Sequence, residues 1–149
     1  MAGFTWKYNL SGGRPLIHTL LTGTAEVYTQ GDMLSISSGL TEISATNDTT
    51  FLGTFQGAAD PSDMTDGSSG VMTTTSTTKI KAIVNSDAVY ETADANDRLY
   101  AITLDVAGTT GAMTVAATSN ADFTVVEDKR QSSDPTRLMV TPGEHVFHP

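Results

Sequence analysis

Between Pro15 and Gln56 the chain is punctuated so often that only short strands fit. Gly23 stands before AEVYT, Gly31-Asp32 before MLSIS, Ser38-Gly39 before LTEIS, and Asn47-Asp48 before TTFLGTF. Short runs spaced roughly 8–12 residues apart, with turn residues between them, are the pattern of a β-sandwich or β-barrel. Within the runs the side chains alternate. Ala25, Val27 and Thr29 face one way and Glu26 and Tyr28 the other, while Leu34 and Ile36 oppose Met33, Ser35 and Ser37. The same rule puts Phe51 and Phe55 on one face with Gly53 between them, and a glycine there marks a bulge, a bend or a close backbone approach.

The second half repeats the pattern. In TKIKAIVN, Ile80, Ala82 and Val84 point inward against Lys79, Lys81 and Ile83, and further runs follow at AVYET, LYAITLD, AMTVAA, DFTVVED and TRLMVT. The expected total is about ten to twelve strands. No segment shows sustained helical periodicity, and Thr92–Arg98 suits at most one helical turn. About one residue in six is threonine, which favours pleated surfaces over helices. The fold class read from the sequence is therefore all-β, a single compact β-barrel or β-sandwich with an extended N-terminal arm. At 149 residues the chain can bury one core without a metal or disulfide, and it has no cysteine.

Residues 1–14 form that arm, and residues 15–149 the β-rich domain. In the arm Phe4, Trp6 and Tyr8 alternate with Thr5 and Lys7, which sets three aromatics on one side of an extended segment. Leu10 follows, and Ser11-Gly12-Gly13 breaks the strand before Arg14. Two readings stay open: an edge strand packed on its own domain, or an arm laid on another subunit by strand addition. Under the second, Phe4, Trp6, Tyr8 and Leu10 are the apolar anchors and Arg14 pairs with a partner carboxylate.

Residues 57–78 read as one long polar loop. Asp60, Asp63 and Asp66 with Gly67 raise the question of calcium, but these acids recur every third residue, whereas an EF-hand loop ligates at every second. A solvated acidic loop is the reading. His145 and His148 read as exposed tail residues and His18 as a sheet residue, so no metal site is expected. No serine sits in a nucleophile elbow, and no phosphate-binding glycine loop is present. The expectation is a protein without catalytic residues or cofactor. A net charge of −9 opposes binding to nucleic acid or an anionic membrane, both of which call for clustered Lys and Arg.

Several pieces together resemble the capsid decoration, or cement, proteins of tailed bacteriophages. An apolar strand at PLIHTLL leads to QGDMLSISSGLTEIS, a Gly-Asp turn, a short apolar strand, Ser-Gly and a second strand. ATNDTTFLGTFQGA runs from polar residues into an apolar strand with a central glycine. IKAIVNSDAVYET, the glycine-rich turn after LYAITLD, DFTVVEDKRQSSDPTRLMVT and the closing EHVF are similar too. The resemblance implies a protein made in the host cytoplasm and bound to the outer surface of the virion's expanded icosahedral head. There it would cement neighbouring subunits of the major capsid protein. It also implies symmetric self-association, as trimers at local threefolds or dimers at twofolds, with trimers favoured. The rival expectation is a host-surface or carbohydrate-binding β-domain of a phage fibre.

Overall fold

The computed structural model describes residues 3–23, 26–45, 48, 50–63, 72–73, 78–94, 98–117, 122–127, 137–143 and 145. Its strands are β1 (Phe4–Asn9), β2 (Ile17–Leu21), β3 (Val27–Tyr28), β4 (Met33–Ser37), β5 (Leu40–Ile43), β6 (Phe51–Ala58), β7 (Met72–Thr73), β8 (Lys79–Ile83), β9 (Ala88–Ala93), β10 (Thr103–Ala107), β11 (Thr114–Ala116), β12 (Phe123–Glu127) and β13 (Arg137–Pro142). A 3-10 turn spans Pro61–Asp63. The all-β expectation holds. The strands form two packed antiparallel sheets, a sandwich, with order β1-β9-β13-β12-β10-β11 in one and β2-β8-β6-β4-β5 in the other, and a small β3-β7 ribbon.

Local chemistry explains the elements. Ser38 and Gly39 form the two-residue turn between β4 and β5, with φ of 50° and 78°. Positive φ at both central residues gives a turn whose twist matches its flanking strands. The span expected to be a polar loop, 57–78, begins as strand, because β6 runs through Gly57 and Ala58. The span 64–71, including Asp66 and Gly67, and residues 74–77 lie outside the described residues. Thr92 and Ala93 end β9 as strand, and 95–97 of the expected helical turn also lie outside the described residues.

Two cores hold the sheets. Phe4, Met33, Phe51, Tyr90, Leu104, Phe123 and Val140 belong to the first, which fills the space between the sheets. Tyr28, Leu34, Leu52, Phe55, Ile80, Ala82 and Val84 belong to the second, on the other face of the five-stranded sheet. That sheet is therefore buried on both faces along β6.

Phe51 and Phe55 correct the sequence reading by falling into different cores. Leu34 pairs with Gly53 and Ser35 with Phe51, so Leu52 is an extra residue in β6. One inserted residue reverses the alternation beyond it. The close approach expected at Gly53 is present. A Cβ there would stand 1.7 Å from the Ile83 carbonyl oxygen, at a φ of 155°.

Candidate functional site

The N-terminal segment is an edge strand hydrogen-bonded to its own domain. β1 pairs with β9, and a register shift falls between Trp6 and Tyr8. The extra residue, Lys7, undoes the expected three-aromatic face. Phe4 is buried, stacked on Phe123 at 5.2 Å between ring centroids and edge-on to Tyr90 at 6.5 Å. It is a core residue, unavailable as a partner anchor. Trp6 is half-buried against the same core. Past the bulge Asn9 takes the inward position, and Tyr8 turns out to solvent.

Asn9 organises the connection from β1 to β2. Its Oδ1 accepts the Trp6 indole N–H at 3.0 Å, and its Nδ2 donates to the Arg14 carbonyl at 3.0 Å. The backbone N–H groups of Leu10 and Ser11 bond the Asp87 carbonyl (2.9 Å) and carboxylate (2.8 Å). Ser11, through its side chain first and its backbone N–H second, holds the Asp87 carboxyl below its usual range. Leu16 N–H donates to Asn85 Oδ1 at 2.6 Å. The connection is thereby fastened to the β8–β9 turn, and Leu10 and Arg14 stand exposed on it.

Along β1, this connection and β2, five large apolar side chains are exposed. Tyr8, Leu10, Leu16, Ile17 and Leu21 are 42, 56, 51, 50 and 47 % exposed. Ile17 also lines a groove of about 330 Å³ that opens between the sheets, together with Phe4, Trp6, Pro15, Gly31 and Ile83 among others. Of the five residues expected to bind a partner, Tyr8, Leu10 and Arg14 are exposed, Trp6 forms part of the groove wall and Phe4 lies inside. Sequence reasoning missed Leu16, Ile17 and Leu21. The signal was IHTLL, which is apolar on both alternations and so marks a strand with an uncovered side.

Buried polar residues elsewhere serve the fold. Asp32 is buried and accepts bonds from the Thr29 N–H at 2.8 Å, the Gly111 N–H at 2.9 Å and the Thr110 hydroxyl. These charge-assisted bonds tie the turn before β4 to the β10–β11 loop. Asp122 accepts the Val106 N–H at 3.1 Å. His145 corrects the expectation of an exposed tail residue. It is 1 % exposed, bonds the Leu52 carbonyl at 2.6 Å and lies against the Phe51 ring at 6.1 Å. His148 lies outside the described residues, and His18 is half-buried in β2 opposite Ala82.

Asp60 is bonded within its own turn. Its carboxylate accepts the Ser62 N–H (3.0 Å) and hydroxyl (2.9 Å), which hold it below the usual range. No cluster of three or more metal-ligating side chains occurs among the described residues, and none of their helices is long and apolar enough to cross a membrane. The apolar run along β1 and β2 is suited to binding an apolar surface. No protein-family model matches the chain, no curated protein matches it in sequence and no solved structure matches its fold.

Proposed function

We propose that this protein is a structural virion component. It binds the outer surface of an expanded phage capsid, bridges neighbouring major capsid protein subunits and stabilises the DNA-filled head. It acts by binding, without catalysis or cofactor, and self-associates to match the symmetry of its site, as a trimer or a dimer. The observation that carries this reading is the run of large apolar side chains exposed along β1, β2 and their connection, Tyr8, Leu10, Leu16, Ile17 and Leu21, of which Ile17 lines the groove. A run of exposed apolar side chains on a domain of −9 net charge marks an interaction surface. The resemblance of PLIHTLL, QGDMLSISSGLTEIS and the later strands to decoration proteins supplies the partner. A modest interface per copy suffices on a rigid lattice, where several contacts act at high effective concentration.

Co-sedimentation with expanded and unexpanded heads of the encoding phage tests the reading. Binding is expected to expanded heads alone, and the double substitution Tyr8→Ser with Leu10→Ser is expected to weaken it at least about tenfold. Deleting the whole segment would be a poor control, because it removes Phe4 from the core. Binding to neither head form sinks the capsid reading and moves a fibre-type glycan-binding domain ahead. That second reading has one observation in its favour: Tyr100 is 66 % exposed between exposed Leu99 and Ile102. A glycan array tests it.

A further inference from the structure

The five-stranded sheet ends at β2, whose far side meets β5 at Leu21 and Thr22 and has no strand beside it from Ile17 to Leu20 among the described residues. Val84 N–H bonds the Leu16 carbonyl at 2.9 Å. In this antiparallel ladder residues 16, 18 and 20 therefore turn their backbone groups toward β8, and residues 17, 19 and 21 turn theirs away. Of the outward groups, the Leu21 carbonyl is taken by the Thr41 hydroxyl at 3.2 Å. One parallel bridge, Thr22 to Thr41, closes the strand's C-terminal end. The N–H and C=O of Ile17 and Thr19 and the N–H of Leu21 face outward, with no strand paired to them among the described residues. Edge strands are ordinarily blunted by a charge, a proline or a bulge. Ile-His-Thr-Leu-Leu carries no Lys, Arg, Asp, Glu or Pro, and its pairing with β8 is regular throughout.

The side chains say what would fit. Thr19 pairs with Lys81 and Leu21 with Lys79, and all four are exposed on one face. Neither lysine is in an ion pair among the described residues. Lys79 borders a depression shared with Asp60 and Asp63, which Lys81 does not line. A basic, apolar strip thus flanks the open edge of a strongly acidic chain.

We propose that β2 is the acceptor for an extended acidic segment of another protein, which adds to the sheet as an antiparallel strand. It would set apolar side chains opposite Ile17 and Leu21 and a carboxylate opposite Thr19. Strands lie about 4.8 Å apart, so that carboxylate's strand runs about 10 Å from β8. Thr19 is short, and Lys81 reaches across it. A second copy's β2 fits less well. Pairing about Thr19 would match Ile17 with Leu21 but bring two pairs of lysines onto one face with no acid between them. The proposal does not depend on the capsid reading and is tested without capsids.

The probe is a blocked peptide with valine, glutamate and valine at alternate positions, separated by threonines, titrated into the full chain to about 2 mM, where weak binding is still registered. Amide chemical shifts are expected to move at 17–21 and 79–83. The glutamate peptide should bind at least about fivefold tighter than its lysine counterpart at low salt, and Lys81→Glu should invert that order. Thr19→Pro should abolish binding with the fold kept, because the Thr19 N–H points outward and an edge strand tolerates proline there. Equal binding of the two peptides, shifts confined to other strands, or no shifts at all would overturn the proposal. So would concentration-dependent dimerisation abolished by Thr19→Pro, which would give the edge to a second copy.

Discussion

The two cores are built from different reaches of the chain. The one between the sheets collects Phe4, Phe51, Tyr90, Phe123 and Val140, nearly the whole sequence, and its rings touch in a chain: Phe4 on Phe123, Phe123 edge-on to Phe51 at 5.0 Å, Phe51 against His145. Among the described residues the other draws on Leu20 to Val84 and has one ring pair, Tyr28 on Phe55 at 5.3 Å. The first core therefore needs both ends of the chain in place, whereas every described member of the second lies within the first 84 residues. An N-terminal segment that looks detachable in sequence helps to close the inter-sheet core. The function proposed for it uses only the residues beyond its bulge.

The sharpest break in this comparison is at Gly53, which serves both cores. A Cβ at that position would meet backbone, the Ile83 carbonyl at 1.7 Å and its carbon at 2.9 Å, and a backbone neighbour cannot swing aside as a side chain does. Gly53→Ala is expected to separate β6 from β8 and leave the chain unfolded. Recovery of soluble variant with wild-type far-ultraviolet circular dichroism would refute this.

Phe4→Ala comes next and separates the cores. Truncating a buried phenylalanine costs about 3–5 kcal/mol, a large share of an ordinary domain's stability. The loss should appear as a lower denaturation midpoint. Hydrogen exchange should accelerate first in β9, β12 and β13, which frame the inter-sheet core, and least in β6 and β8 around the other. Uniform acceleration would show that the two cores unfold as one.

These expectations depend on features that were unevenly legible in the sequence. The strands and their turns were readable because Gly-Asp, Ser-Gly and Asn-Ser-Asp interrupt runs of period two. Gly53 was readable as a close approach because a glycine interrupts an apolar strand. The bulges were not. An extra residue at Lys7 or Leu52 leaves no mark in composition, yet each reverses the faces beyond it and so misassigned Tyr8 and Phe55. His145 was illegible for a different reason: its partner, the Leu52 carbonyl, lies 93 residues away, and nothing local distinguishes a buried histidine from a tail one. The apolar run along β1 and β2 was half readable. The aromatics of the first ten residues stand out by their alternation, but that IHTLL forms an edge depends on sheet order, which the sequence leaves open.

The smallest effect concerns the phenols, one in each core, and it is read by raising pH. Burial pushes the Tyr28 phenol up to about 12, partly offset by the Thr41 hydroxyl at 3.3 Å, while the phenol itself donates to the Thr41 carbonyl at 2.8 Å. Burial raises Tyr90 as well, against Thr54. Both folded values lie above the unfolded value near 10. Between about pH 10 and 12 the unfolded chain has given up phenolic protons that the folded one retains, so it binds fewer protons and stability falls as pH rises. Their contribution is whole below pH 10 and is lost through the folded titration. Tyr28→Phe should cost about 1 kcal/mol at neutral pH, for the lost hydrogen bond. It should also flatten part of the alkaline decline, leaving the part due to Tyr90. Urea midpoints at pH 7, 10 and 11 for the variant and the wild type measure both effects. An unchanged alkaline slope would mean that Tyr28 titrates in the folded chain as it does in the unfolded one, and that its hydroxyl is reached by water through the β3 side of the second core.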